Sequence, residues 1–290
     1  WLGRLNQIDN QIDLARLAYG EAAKADPGGY YSLRAADMLA GRGPCVPPPG
    51  VDWAFDTPEH IEAAEVWMRQ TFGIQVQGAL WPLAPQLAGD PRLVRGTELW
   101  ALSAYDDARG EFTTLTEAYQ DSPLALYQLA TYYYRLGHYR EAIFATARLI
   151  DGANIRTEQA PKYIAAMRFP IAYADLVLPA AARYGVDPLL VYGLIRQESL
   201  YEGNATSSAQ AQGLMQVMPS TGAYIAGVLE WPNYQNSDLY RPYVNVQFGV
   251  YYLYEQLQAF NNVYAALGAY NGGPGNSAEW LRISGGDPDL

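Results

Sequence analysis

The sequence predicts an all-α protein, in which a run of helical hairpins is followed by a second, mainly helical region. Apolar residues recur at helical spacing along most of the 290 residues, whereas strand-like alternation is scarce. Short turns rich in Gly and Pro separate the helical stretches. Half of the residues are hydrophobic, which is enough for substantial cores in one large or two ordinary domains.

Residues 1–168 are predicted to form an irregular α-solenoid of helical hairpins. The stretch from Leu124 to Ala142, with Gly137 at its turn, resembles a tetratricopeptide-type hairpin, in which small residues let two helices approach. Other pairs look similar but do not keep a strict period. The expected helices lie near residues 5–24, 29–41, 57–72, 91–107, 110–119, 123–136 and 139–150.

A second domain is expected over residues 169–290. Pro170 disfavours helix at the preceding residue and therefore places the boundary near Phe169. A polar loop is predicted at 200–212, after the second helix of this domain. The expected helices are 171–184, 188–199, 219–229, 244–260, 263–270 and a last one after Gly275.

Composition excludes several classes of function. A net charge of −11 argues against non-specific binding to nucleic acid, which depends on Lys and Arg. No apolar run of about 18 residues is present, so no membrane span is predicted. The two histidines, His60 and His138, lie in the hairpin region, so neither a metal site nor a Ser-His-Asp triad is expected, and no cofactor is implied. The single Cys45 lies in a proline-rich loop and cannot form an intrachain disulfide.

One carboxylate stands out at the end of an apolar helix. Asp187-Pro188 is a helix start, because Asp caps free amides and Pro fits the first helical position. Glu198 follows Val191, Leu194 and Ile195 at helical spacing and so shares their apolar stripe. Partial desolvation should raise the pKa of Glu198, as a general acid requires. A helix-end residue that simply points to water is the alternative.

Three motifs in one order carry a family resemblance. They are Glu198-Ser199, then Gly213-Leu214-Met215-Gln216, then Ala269-Tyr270-Asn271-Gly272-Gly273-Pro274-Gly275. With Asp187-Pro188 upstream, they resemble the catalytic core of the soluble lytic transglycosylases, strongly over about residues 169–285. Gly29-Tyr30-Tyr31-Ser32-Leu33-Arg34-Ala35-Ala36 looks like part of the superhelical N-terminal region of that family.

The resemblance implies a lysozyme-like catalytic domain that cleaves the MurNAc–GlcNAc linkage of peptidoglycan. Glu198 would act first as acid and then as base, leaving 1,6-anhydro-MurNAc ends. The implied location is extracytoplasmic, in the bacterial cell envelope or periplasm, and the solenoid could bind a cell-wall protein. The substrate-binding residues implied are Ser199, Ser207, Gln216, Met218, Tyr270 and Asn271.

Departures from the family pattern leave alternatives open. Gln210 and Gly203 stand where the family usually has a glycine and a proline, and the chain stops at Leu290, before a further family motif. The catalytic domain is therefore expected to be truncated at its C-terminus. The alternatives are a goose-type-like lysozyme that hydrolyses the linkage, or a non-catalytic adaptor that holds glycan.

Four other carboxylates could complement Glu198 in chemistry, but no motif places them. Glu202 is expected in the solvated loop after the helix, since isolated surface carboxylates are the commonest case. Leu214 and Met215 are expected in the core. The remaining carboxylates are Asp238, Glu255 and Glu279.

Overall fold

The computed structural model describes residues 1–43, 45–46 and 50–287, and these residues form sixteen α-helices without a β-strand. The prediction of an all-α fold is confirmed. Two isolated antiparallel bridges join Thr206 to Gln212 and Gln212 to Val217. The prolines of the predicted loop at 44 and 47–49 lie outside the described residues. The helices of the first half are α1 Leu2–Ile8, α2 Ile12–Ala25, α3 Tyr30–Leu39, α4 Pro58–Phe72, α5 Pro85–Ala88, α6 Pro91–Ala101, α7 Tyr105–Ala118, α8 Pro123–Arg135, α9 Tyr139–Gly152 and α10 Lys162–Arg168.

The helices of the second half follow the predicted order. Turns of 3-10 helix at Thr157–Gln159 and Asn236–Tyr240 connect neighbouring elements. No helix among the described residues is both long and apolar enough to cross a membrane. The second-half helices are α11 Ala174–Tyr184, α12 Pro188–Ser199, α13 Pro219–Val228, α14 Pro242–Phe260, α15 Val263–Gly272 and α16 Pro274–Ile283.

The chain forms two compact units. The first unit comprises the described parts of residues 1–50, 175–193 and 206–290, and the second comprises residues 51–174 and 194–205. The end of α12 and the residues after it therefore belong to the second unit. The predicted boundary between residues 168 and 169 stays a prediction about independent folding.

Helical hairpins build the second unit. Helices α8 and α9 form the predicted hairpin, and Gly137 takes a φ of +79° in the turn between them. Ala130 of α8 and Ala142 of α9 are fully buried. Tyr127 and Tyr133 are fully buried in two neighbouring hydrophobic cores of this unit. The second unit is thus a packed stack of hairpins.

Three of the predicted helices in the first half have other bounds, one of them because α7 begins at Tyr105 rather than at residue 110, and α5 and α10 were not predicted. The helix predicted at 5–24 is two helices, because Asn10 adopts a φ of +59° between α1 and α2. The helix predicted at 91–107 ends at Ala101, and Ser103 turns the chain with a φ of +62°. The apolar periodicity runs through both turns, so periodicity alone did not reveal them.

Candidate active site

Glu198 lies in the last turn of α12, whose first turn is capped as predicted. The amide of Leu189 donates to Oδ1 of Asp187 at 2.9 Å. Glu198 is half-buried, and burial raises the pKa of its carboxyl group. No charge of another described residue contributes to that shift. The expected desolvation of Glu198 is therefore present, and burial is the cause of its raised pKa.

Ser199 follows Glu198 and is buried. Its hydroxyl donates to the carbonyl oxygen of Ile195 at 3.2 Å, one turn back in the helix. Such a bond between a serine and the carbonyl four residues earlier is common in helices. The contact gives Ser199 a structural part at the end of α12, and its predicted contact with substrate stays a prediction.

Glu202 does not lie in a solvated loop, so that expectation was wrong. Nε of Arg109, on α7, donates to Oε1 of Glu202 at 2.6 Å. The two side chains are only 19% and 12% exposed. Burial raises the pKa of Glu202, while the charge and hydrogen bond of Arg109 oppose that rise. The partner comes from a helix 93 residues away, which local sequence could not indicate.

In the first unit, the Gly213–Gln216 motif forms a tight turn that is closed by the bridge between Gln212 and Val217. Gly213 has a φ of +75°, and a Cβ there would stand 2.2 Å from the carbonyl oxygen of Leu239. Only glycine fits that position. Leu214 and Met215 are fully buried, as expected for core residues. The turn is thus locked to the body of the first unit.

Asn245 of α14 holds this turn and was missed by the sequence analysis. Its Oδ1 accepts from the amide of Met215 at 2.7 Å, and its Nδ2 donates to the carbonyls of Gln212 and Leu239, both at 2.7 Å. Asn245 is fully buried. A polar residue inside the apolar run of α14 was the available signal, because buried amides need partners.

Of the predicted binding residues, Gln216 belongs to this turn and Tyr270 forms a hydrogen bond with it. The hydroxyl of Tyr270, on α15, donates to the carbonyl oxygen of Met215 at 2.8 Å. Nε2 of Gln216 donates to the carbonyl oxygen of Gly213 at 2.8 Å. Gln216 itself has a φ of +47°. The structure therefore brings Tyr270 to the glycine-led turn that ends at Gln216.

The other three predicted residues of this unit lie nearby in sequence or at helix ends. Oγ of Ser207 accepts from the amide of Ala211 at 3.0 Å. Met218 is 39% exposed directly before α13. Asn271 is exposed in the last turn of α15, and Gly273 ends that helix with a φ of +87°. The predicted helix stop at the Asn-Gly-Gly segment is confirmed.

Gln210 adopts the left-handed conformation that a glycine would supply. Its φ is +69°, and its amide donates to the carbonyl oxygen of Ser207 at 2.9 Å. The turn is therefore kept despite the missing glycine. A left-handed non-glycine residue costs roughly 1–2 kcal/mol, so the turn is retained at the expense of stability.

The remaining candidate carboxylates of the first unit have structural partners. Asp238 is buried and accepts from the amide of Gln235 at 2.9 Å. Glu255 accepts from the hydroxyls of Tyr224 and Tyr251 at 2.8 and 3.0 Å. The third, Glu279, forms two hydrogen bonds with Arg282 within one turn of α16. No group of ligating side chains among the described residues could hold a metal ion.

Known proteins resemble this chain in sequence. Residues 175–289 match the family model described as the transglycosylase SLT domain. The soluble lytic murein transglycosylase of Salmonella typhimurium is 31% identical over 207 residues, covering 70% of this chain and 30% of the relative. Membrane-bound lytic murein transglycosylase C of Haemophilus influenzae (strain PittEE) is 35% identical over 128 residues, covering 41% of this chain and 35% of that protein. The chain thus spans about a third of the length of these relatives.

The fold is shared with a solved structure. The crystal structure of the 70 kDa soluble lytic transglycosylase from Escherichia coli matches with a TM-score of 0.65 and 22% identity, over 99% of this chain and 40% of that one. This likeness agrees with the all-α prediction. The sequence matches confirm the resemblance carried by the three motifs: residues 175–289 match the transglycosylase SLT domain, and the chain resembles the soluble lytic transglycosylases.

Proposed function

We propose that this protein is a peptidoglycan lytic transglycosylase that cleaves the MurNAc–GlcNAc linkage with Glu198 as its acid and base. The observation that carries the proposal is the burial of Glu198 in a part of the chain that matches the SLT domain. Its carboxyl group is half-buried at the end of α12, and burial alone raises its pKa. Such a group keeps its proton closer to neutral pH, as a general acid must.

The proposed reaction needs one carboxyl group in two successive roles. Protonated Glu198 gives its proton to the glycosidic oxygen as the bond between that oxygen and the anomeric carbon of MurNAc breaks. The resulting carboxylate then takes the proton of the 6-hydroxyl of MurNAc, and the freed oxygen bonds to the anomeric carbon. Glu198 ends protonated, and no water is consumed.

The motifs supply one carboxyl group, Glu198, and this favours the intramolecular route. Hydrolysing glycosidases use a pair of carboxyl groups roughly 5–10 Å apart. No charge of another described residue contributes to the pKa of Glu198. Attack by a hydroxyl already held on the sugar is entropically favoured over capture of free water. The proposed products therefore carry 1,6-anhydro-MurNAc ends.

The proposed glycan contacts follow the family resemblance. The side-chain amide of Gln216 can both donate and accept, which suits an N-acetyl group. Met218 offers an exposed, soft apolar surface for a sugar face. Ser199, Ser207, Tyr270 and Asn271 are the remaining proposed contacts. The substrate places the proposed activity outside the cytoplasm, in the cell envelope, where the hairpin region could also bind a cell-wall protein.

The decisive experiment is digestion of purified peptidoglycan by the wild type and by Glu198→Gln. The amide keeps the shape of the side chain but cannot donate the proton. We expect a loss of cleavage of at least about 10²-fold, with an unchanged circular dichroism spectrum. Glu279→Gln is the matched control, because Glu279 is paired with Arg282 and its side chain is 52% exposed. Wild-type cleavage by Glu198→Gln would refute the proposal.

Mass spectrometry of the products separates the alternatives. Anhydro ends and reducing ends differ by one water, so the two routes give different fragment masses. A majority of anhydro ends is expected. A majority of reducing ends would indicate a goose-type-like hydrolase, and glycan binding without any cleavage by the wild type would indicate an adaptor.

A further inference from the structure

The chain directly after Glu198 is held by two buried side chains of the second unit. Tyr201 is 3% exposed, and its hydroxyl donates to the carbonyl oxygen of Pro170 at 2.6 Å. Its ring contacts the ring of Tyr139 edge-on, with 6.0 Å between centroids. Glu202 is bound by Arg109 at 2.6 Å. Residues three and four positions beyond Glu198 are therefore fixed by tertiary contacts.

These contacts hold a backbone that would not persist alone. Leu200 and Tyr201 have φ values of +51° and +68°, so two consecutive non-glycine residues are left-handed. Each such residue costs roughly 1–2 kcal/mol, and strain of this kind persists only where the surroundings enforce it. The amide of Glu202 then donates back to the carbonyl of Ser199 at 3.1 Å. The strained turn thus ends α12 directly after Glu198.

The Arg109–Glu202 ion pair helps to hold this strained turn in place. Arg109 bonds Glu202 and is also paired with Asp106 on its own helix, α7. Arg140, on α9, is a second cation that lowers the pKa of Glu202. A charge-assisted hydrogen bond between largely buried groups is stronger than a neutral one. Removing Arg109 would leave the largely buried Glu202 without its hydrogen-bonded partner.

We propose that the Arg109–Glu202 ion pair, together with Tyr201, is a positioning element that holds the end of α12 so that Glu198 keeps its reactive geometry. The inference rests on the proposed role of Glu198. It makes the hairpin region a working part of the catalytic machinery. Arg109 and Glu202 act only through the backbone that carries Glu198 and take no part in proton transfer.

The test compares the kinetics of peptidoglycan cleavage for Arg109→Gln and Glu202→Gln with those of Arg95→Gln. Arg95 forms two 2.8 Å hydrogen bonds with Glu111 between α6 and α7, but its side chain is 53% exposed. It therefore controls for the loss of an ion pair whose hydrogen bonds join α6 and α7. A displacement of about 1 Å can lower a rate by roughly 10²-fold. We expect kcat to fall roughly 10-fold to 100-fold in both variants, with KM nearly unchanged.

Rescue and amide exchange distinguish positioning from a general loss of structure. Arg109→Lys retains the charge and should recover part of kcat. In Arg109→Gln, hydrogen exchange at the amide of Glu202 should be at least about 10-fold faster than in Arg95→Gln. If Arg109→Gln does not fold, Tyr201→Phe decides the case: it keeps the ring, loses the bond to Pro170, and should lower kcat several-fold.

The outcomes separate this inference from the proposed function. Wild-type kcat in both Arg109→Gln and Tyr201→Phe would overturn the inference while Glu198→Gln still abolished cleavage. An equal loss in Arg95→Gln would also overturn it, since the effect would then not be specific to α12. Active Glu198→Gln would instead reject the proposed function, whatever the amide exchange showed.

Discussion

Glu141 should make the stability of the protein fall as the pH rises toward neutral. Its side chain on α9 is 4% exposed, and Oε2 has no hydrogen-bond partner among the described residues. Burial and the neighbouring charge of Glu202 raise the pKa of Glu141 from 4.5 to about 7, although Arg140 and Arg109 oppose the rise. The folded protein therefore holds a proton that the unfolded chain has already released.

The sign and size of the effect follow from this difference. Below pH 4.5 the group is protonated in both states, so no penalty exists. Between pH 4.5 and about 7 the unfolded chain binds fewer protons than the folded protein, and the free energy of unfolding falls. At 1.36 kcal/mol for each pH unit, the loss over this window amounts to about 3 kcal/mol. Above pH 7 the contribution is constant.

The substitution Glu141→Gln tests this reasoning. The amide has the shape of the protonated acid but never ionises, so it should remove the loss. Urea unfolding of the wild type and the variant at several pH values between 4.5 and 8.5 gives the difference in unfolding free energy. This difference should shift by about 3 kcal/mol in favour of the variant as the pH rises. Glu117→Gln, with a side chain 53% exposed, is the control. Parallel curves for Glu141→Gln and the wild type across the whole range would refute the reasoning.

Three further predictions concern the backbone and the domain boundary. Gln210→Gly should raise the free energy of unfolding by roughly 1 kcal/mol, because glycine relieves the left-handed strain; an unchanged urea midpoint would contradict this. Gly213→Ala should destabilise the protein strongly, since its Cβ would meet the carbonyl oxygen of Leu239, and the thermal unfolding temperature measures the loss. Limited proteolysis near Phe169 should give a folded C-terminal fragment that no longer cleaves peptidoglycan, because Glu202 loses Arg109. An active fragment would contradict the last of these.

Local signals in the sequence were sufficient for much of the second half. Asp187 and Pro188 start α12 as predicted, and Gly273 ends α15 with a positive φ. The apolar stripe that includes Glu198 correctly indicated burial and a raised pKa. Each of these features depends on residues within a few positions of one another, which is the range that helical periodicity and capping rules describe.

Features that depend on distant residues could not be predicted. Glu202 looked like a solvated loop residue because its partner, Arg109, lies 93 residues earlier. Gln210 stands where the family usually has a glycine, yet it takes the left-handed conformation that a glycine would supply. At Glu202 a tertiary contact overrides the local preference of the chain. The break at Asn10 was missed for a simpler reason, since apolar residues recur at helical spacing on both sides of it.

Burial raises the pKa of three carboxyl groups in the second unit, but other charges change this effect at two of them. The effect of pH on activity can therefore be distinguished from its effect on stability. Burial acts alone on Glu198, is opposed by Arg109 at Glu202, and is reinforced by a neighbouring carboxylate at Glu141. Activity that falls as the pH rises could therefore come from ionisation of Glu198 or from weakening of the fold around Glu141. Glu141→Gln removes the second cause and leaves Glu198 unchanged. The pH dependence of cleavage that remains in that variant would then belong to the proposed acid, and its midpoint should lie above the ordinary range of a glutamate.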